Sequence, residues 1–254
     1  MKRLRYLIIT ALLLSSALCF GQDPTITRQL AESGDAQAQY ILGYMYEQGV
    51  NQRQSDHRAV FWYQQAAVQG LENAQLNLGR MYAEGLGVEQ DYETAAEWYT
   101  KAAEQGSASA QYNLGNLYLR GNGVEENDAE AIRWYERAAN QGTIQAQYNL
   151  GLMYHRGIGT ERDDAVSIRW FRELAEVGNV GAQANIGAIY ANGDPDIVDT
   201  TKSYAWLSLA ADNGHQTAVE HLAILEPALS QTEINEALEL KQQCLDSEFR
   251  ECDI

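Results

Sequence analysis

The chain has 254 residues, 45% of them apolar, with 35 acidic side chains against 18 basic ones and a formal net charge of −17. That apolar content excludes a disordered polymer. Three cysteines are too few for a scaffold built on disulfides. The acidity argues against a nucleic-acid binder, whose phosphate contacts need clustered Lys and Arg.

Lys2, Arg3 and Arg5 precede a nearly unbroken apolar run from Leu7 to Leu18, followed by Cys19, Phe20 and Gly21. This is the anatomy of a secretory signal peptide over residues 1–21, with cleavage after Gly21. The run is too short to span a bilayer comfortably. Lipidation of Cys19 is disfavoured, because Leu18 stands where a lipobox needs a small residue. Removal of residues 1–21 takes three basic side chains and no acidic one, leaving a net charge of −20. The expected address is the periplasm or the medium, with no integral membrane span in the mature chain.

Beyond the leader the sequence repeats. Trp62, Trp98, Trp134, Trp170 and Trp206 lie 36 residues apart, each followed by Tyr63, Tyr99, Tyr135, Phe171 or Leu207. Gly43, Gly79, Gly115, Gly151 and Gly187 keep the same register, as do Ala38, Ala74, Ala110, Ala146 and Ala182. Each unit reads as two helices. In the first, residues such as Ala38, Leu42, Met45 and Tyr46 carry helical spacing. Gly49, Gly85, Gly121, Gly157 and Gly193 then supply a left-handed stop. Ser55, Asp91, Asn127, Asp163 and Asp199 stand as N-caps of the second helix, which ends at Gly70 and its equivalents. The helical Gly residues cost about 1 kcal/mol each against Ala, so close helix–helix approach is the expected compensation. The Trp and Tyr side chains are read as core that fills the gaps between units.

Residues 22–34 read as an N-terminal capping helix, residues 35–214 as five repeats and residues 215–254 as a helical cap. In that cap, Ala218, Leu222 and Leu225, then Leu229, Ile234 and Leu238, mark two amphipathic helices broken near Pro227. Ser230 and Glu233 form a capping box at the second.

The phrases Ala110-Gln111-Tyr112-Asn113-Leu114-Gly115 and Trp134-Tyr135 with Ala138-Ala139 and Gln141-Gly142 resemble the Sel-one-like repeat family, relatives of tetratricopeptide repeats with longer loops. The resemblance spans about residues 30–214. It implies an all-α, right-handed superhelical solenoid of 36-residue helix hairpins, with the first helices lining a concave face, and an adaptor or scaffold role with a protein or peptide partner.

Catalytic motifs are absent: no phosphate-binding loop, no His-Glu-x-x-His, no Gly-x-Ser-x-Gly and no Ser-x-x-Lys. No enzyme activity, cofactor or resident metal is expected, and His57, His155, His215 and His221 follow no metal-ligand spacing. Penicillin binding or hydrolysis, linked to cysteine-rich family members, is the enzymatic alternative; binding of cell-wall polysaccharide is the other. Cys244 and Cys252 are expected to pair in an oxidising compartment, a spacing also implied by those relatives. Acidic residues from Glu89 to Asp199 gather in the interhelix loops and read as a solvated edge or a site for cations or a basic partner, although no loop has a calcium-ligand order.

The candidate binding face is the first-helix face. By analogy with tetratricopeptide repeats, Asn77, Asn113, Asn149 and Asn185 would hold a peptide backbone, since an amide both donates and accepts. Ile41 replaces Asn in the first unit. Tyr112, Tyr148, Arg80, Asn116, Arg120, His155 and Arg156 lie at neighbouring positions that vary between units. They are the expected source of selectivity, with the arginines favouring an acidic segment or carboxylate. The protein is expected to be a monomer.

Overall fold

The computed structural model describes residues 24–247 and residue 249. Among these, thirteen α-helices and a short 3-10 turn account for the regular structure, with no strand. Two compact units divide in the interhelix loop of the third repeat, one ending at Glu126 and the other starting at Asn127.

The first unit contains α1 (Pro24–Glu32), α2 (Ala36–Gln48), α3 (Asp56–Ala67), α4 (Glu72–Glu84), α5 (Tyr92–Glu104) and α6 (Ala108–Arg120). Each consecutive pair packs together, from α1 on α2 to α5 on α6. The second unit contains α7 (Asp128–Ala139), α8 (Ile144–Arg156), α9 (Asp164–Glu176), α10 (Val180–Asn192), α11 (Thr200–Asp212), α12 (Gln216–Leu225), the 3-10 turn Glu226–Ala228 and α13 (Gln231–Asp246). The expected all-α helix-hairpin repeat is therefore the observed fold class. None of the described helices is long and apolar enough to cross a membrane.

The caps explain the boundaries. Ser55, Asp91, Asn127, Asp163 and Asp199 all accept backbone N–H bonds in the first turn of the following helix, satisfying donors that have no intrahelical partner. Gly49, Gly85, Gly121 and Gly157 end the first helices in the left-handed region. Gly193 departs from the expectation: it is extended, with φ −76° and ψ −157°. Two residues later, Pro195 occupies the register of Gly87, Gly123 and Gly159, which have φ of +69° to +71°. Proline cannot adopt that angle, so the fifth loop takes another path. The loop glycines are needed for packing as well: a Cβ on Gly123 would lie 2.2 Å from the backbone carbonyl carbon of Tyr92, in the preceding repeat.

The helical glycines permit the expected close approach. A Cβ on Gly43 or Gly79 would lie 2.7 Å from the ring of Tyr63 or Tyr99, and one on Gly151 would lie 2.6 Å from Phe171. Tyr63, Tyr99, Tyr135, Phe171 and Leu207 are all buried. The tryptophans divide differently from the sequence reading. Trp170 and Trp206 are buried, but Trp62, Trp98 and Trp134 are only half-buried. Lys101 and Arg137 lie 4.0 and 4.4 Å from the centroids of Trp98 and Trp134. The indoles thus keep one wet side, where a cation can meet the ring face.

In the cap, Ser230 and Glu233 form the expected capping box. Leu222, Leu225, Leu229 and Ile234 pack on a core containing Phe171, Trp206, Ala237 and Cys244. Leu238 does not join it and is exposed; the inward face of α13 runs through Ile234, Ala237 and Cys244. Cys252 and the leader, residues 1–21, lie outside the described residues, so the structure gives no geometry for the pairing or for cleavage.

Candidate functional site

In the first unit, α2, α4 and α6 bring a fixed frame and variable positions to the first-helix face. The frame is tied by hydroxyls. The Asn77 amide opposes the upward pKa shift that burial gives the phenols of Tyr40 and Tyr63, and the Asn113 amide does the same at Tyr99. Tyr63 Oη donates to Glu47 Oε2 at 2.6 Å. Burial, reinforced by Glu47, pushes the Tyr63 phenol pKa well above its ordinary value, so this group stays a donor. Arg80 is not an isolated anchor: it pairs with Glu47 and, at 3.2 Å, with Glu84. Burial opposes its charge, but Glu47 and Glu84 more than offset that and raise its pKa. Tyr112 and Asn116 are half-buried and engaged within the chain. Arg120 and Tyr44 are exposed, and Arg120 has no ion-pair partner among the described residues.

In the second unit the same register gives a matching contact. Asn185 Nδ2 donates to Tyr148 Oη at 2.9 Å, and Tyr148 packs edge-on against Phe171 with centroids 5.4 Å apart. Asn149 and Leu152 are half-buried, and Arg156 is exposed without an ion-pair partner among the described residues. His155 is held inside its own hairpin, with Nδ1 2.6 Å from Asp164 Oδ1. Asp164, wholly buried at the start of α9, also accepts from Arg162 Nη2 at 2.5 Å and from the Asp194 backbone N–H at 2.7 Å. Burial pushes this carboxyl up, but the bonds from Arg162, His155 and the Asp194 backbone outweigh it and hold the pKa below its ordinary value. The loop acid Asp164 is thus a structural hub. Asp91, Asp163 and Asp199 are caps, leaving Glu89, Glu125, Glu126, Glu161 and Asp196 as exposed members of the acidic set. No group of His, Cys, Asp and Glu among the described residues is arranged to hold a metal ion.

Sequence reasoning missed a buried amide ladder. Gln39, Gln75, Gln111 and Gln183 each donate to the last-turn carbonyl of the preceding second helix at 3.1 Å. Gln75 also accepts from Gln105 Nε2 at 2.7 Å. The signal was available: Gln39, Gln75, Gln111, Gln147 and Gln183 repeat every 36 residues beside buried alanines, and a polar group there must find a partner. The ladder satisfies helix-end carbonyls and keeps successive hairpins in register.

The recurring Gly–aromatic contacts, helix caps and buried Gln ladder are features of one repeat unit. The sequence pattern of the Sel1 repeat matches residues 36–71, 73–107, 108–143, 144–179 and 180–215. The chain belongs to the Sel1 repeat family. Sel1 repeat proteins are generally protein-interaction scaffolds. A protective antigen with an SLR fold, present in uropathogenic Escherichia coli strains, is similar in structure with a TM-score of 0.73 and 36% identity, over 88% of this chain and 49% of that one. A Sel1 repeat protein from Oxalobacter formigenes gives a TM-score of 0.63 at 36% identity, over 79% of this chain and 59% of that one. The Sel1 chain described here thus spans about half to three-fifths of those two proteins. No functionally curated protein matches it.

Proposed function

We propose that this Sel1 repeat protein is an exported, non-catalytic adaptor that binds a partner protein or extended peptide on the first-helix faces of its repeats. The carrying observation is the pairing of constancy and variation there. Asn77, Asn113, Asn149 and Asn185 repeat as a fixed frame, whereas the adjacent register carries Tyr44, Arg80, Asn116, Leu152 and Ala188. A repeated scaffold with changing side chains at one position can read an extended partner segment by segment. Aromatic and arginine side chains are the residue types that anchor such contacts. Within this face the exposed Tyr44, Arg120 and Arg156 are the proposed outward anchors. Export rests on the basic, apolar and small-residue pattern of residues 1–21.

The test is a crosslinking pull-down from the cell envelope with wild type and with Tyr44→Ala/Arg120→Ala/Arg156→Ala. The adaptor reading expects a partner retained by wild type and lost from the variant at an unchanged melting temperature. Equal recovery by both proteins would remove these residues from the site. Fractionation with mass measurement of the mature N-terminus tests export, for which the expected first residue is Gln22.

A further inference from the structure

The loop edge changes sign in the first repeat. Arg28, Arg53 and Arg58 correspond in register to Gln64, Glu89 and Thr94, then to Thr100, Glu125 and Glu130, then to Glu136, Glu161 and Val166. Three cations in the capping helix and the first repeat thus stand where the next three units carry acidic or neutral side chains. In a chain of net charge −17, such a local inversion works against the field of the rest of the molecule.

The geometry concentrates these cations. Arg28 Nη2 lies 3.1 Å and Arg58 Nη1 lies 3.3 Å from the same oxygen, Tyr46 Oη. Arg58 also lies over the Tyr46 ring, 5.3 Å from its centroid. Arg53, Gln54, Ser55 and Arg58 line a cleft of about 370 Å³ at the start of α3. All three arginines are exposed, and none has a carboxylate within ion-pair distance among the described residues. Asp56 lies nearest in sequence but forms no ion pair with them. Gln52 accepts from Arg28 at 3.3 Å through Oε1, while its Nε2 is buried without an acceptor.

Two guanidinium groups drawn to one phenolic oxygen repel each other, and a shared neutral acceptor neutralises neither. An oxyanion would neutralise both and accept from each fork. The geometry points to a phosphoryl-binding site formed by Arg28 of the capping helix with Arg53 and Arg58 of the first repeat, taking a phosphomonoester group either from a soluble molecule or from a lipid headgroup. A phosphoryl group fits better than a carboxylate because its three terminal oxygens can serve three separate guanidinium forks, with the first-turn N–H groups of the 12-residue helix α3 alongside.

The experiment is calorimetric titration of the full chain with glycerol 3-phosphate in one arm. The other arm uses phosphatidylcholine vesicles with and without phosphatidic acid. Arg53 makes no hydrogen bond or ion pair within the described structure, so Arg53→Gln perturbs the site without disturbing the fold. Saturable binding should weaken about tenfold in Arg53→Gln and further in Arg28→Gln/Arg58→Gln, as expected for loss of charge-assisted bonds. Arg120→Gln/Arg156→Gln should bind as wild type does. Such binding of glycerol 3-phosphate supports a soluble source, and binding restricted to phosphatidic acid vesicles supports a lipid source. Absence of binding in both arms overturns the proposal. So does an equal loss in the Arg120/Arg156 control, which would show only nonspecific attraction.

Discussion

Replacing Gly79 by Ala separates packing from helix propensity. In an unconstrained helix interior this change stabilises by about 1 kcal/mol. Here the new Cβ would lie 2.7 Å from Tyr99 Cδ1 and 2.8 Å from Cε1, whereas ordinary contact begins near 3.4 Å. The overlap is roughly 0.7 Å against the edge of a ring that is only 3% exposed, so the ring has no solvent into which to swing. Overpacking of this kind costs about 1–3 kcal/mol, and contact with two ring atoms puts it toward the upper part of that range. The net expectation is a loss of about 1–2 kcal/mol, or a fall in Tm of about 2–8 °C for a chain of this size. Gly181 is the control: it also lies in a helix, but its added Cβ would meet nothing nearer than 3.4 Å. Gly181→Ala should raise Tm by up to about 4 °C, from the gain in helix propensity. Circular-dichroism melts of the two variants provide the assay. A rise in both would refute the close-approach explanation of the helical glycines.

Gln75→Leu should cost about 1–3 kcal/mol, because it removes two hydrogen bonds, to the Ala67 carbonyl and from the Gln105 amide, and leaves each of those groups only its bond to Gly70; urea unfolding checks this. Asp164→Asn should destabilise at neutral pH, with the difference from wild type closing in acid. A carboxyl whose folded pKa is depressed contributes stability above its unfolded pKa and loses it as pH falls through the folded value; paired unfolding curves at pH 7 and pH 3 test that sign. Cys244 and Cys252 are proposed to form a disulfide contributing about 2–3 kcal/mol. Thiol labelling of unfolded, unreduced protein should find neither cysteine reactive, and two labelled thiols would contradict it.

Helix caps and glycine spacings were legible in the sequence because they are local: Ser55, Asp91 and Asp163 act within one turn of their own helices. The Gly79–Tyr99 contact was legible as a requirement, because helical glycine needs a compensation, although the partner atom was not. Side-chain targets were harder to read. Arg80 and His155 appeared available from register alone, yet Glu47 and Asp164 hold them. Those acids lie 33 and 9 residues away in sequence, and only folding brings each pair together. Leu238 misled because its four-residue spacing from Ile234 also fits one helical face, whereas the small Ala237 marks the buried one. The arginine cluster was hidden in the same way: Arg28 and Arg58 belong to different helices and meet only at Tyr46.

The central claim is that the variable positions of the first helices contact a partner. Photo-crosslinking tests this most directly, with a benzophenone side chain placed at Tyr44, Arg120 or Arg156 and, for comparison, at the exposed second-helix positions Phe61, Glu97 or Arg133. The adaptor account predicts that one and the same partner is crosslinked from the first-helix positions and not from the second-helix ones. Crosslinking of that partner from Phe61, Glu97 or Arg133 alone would contradict it.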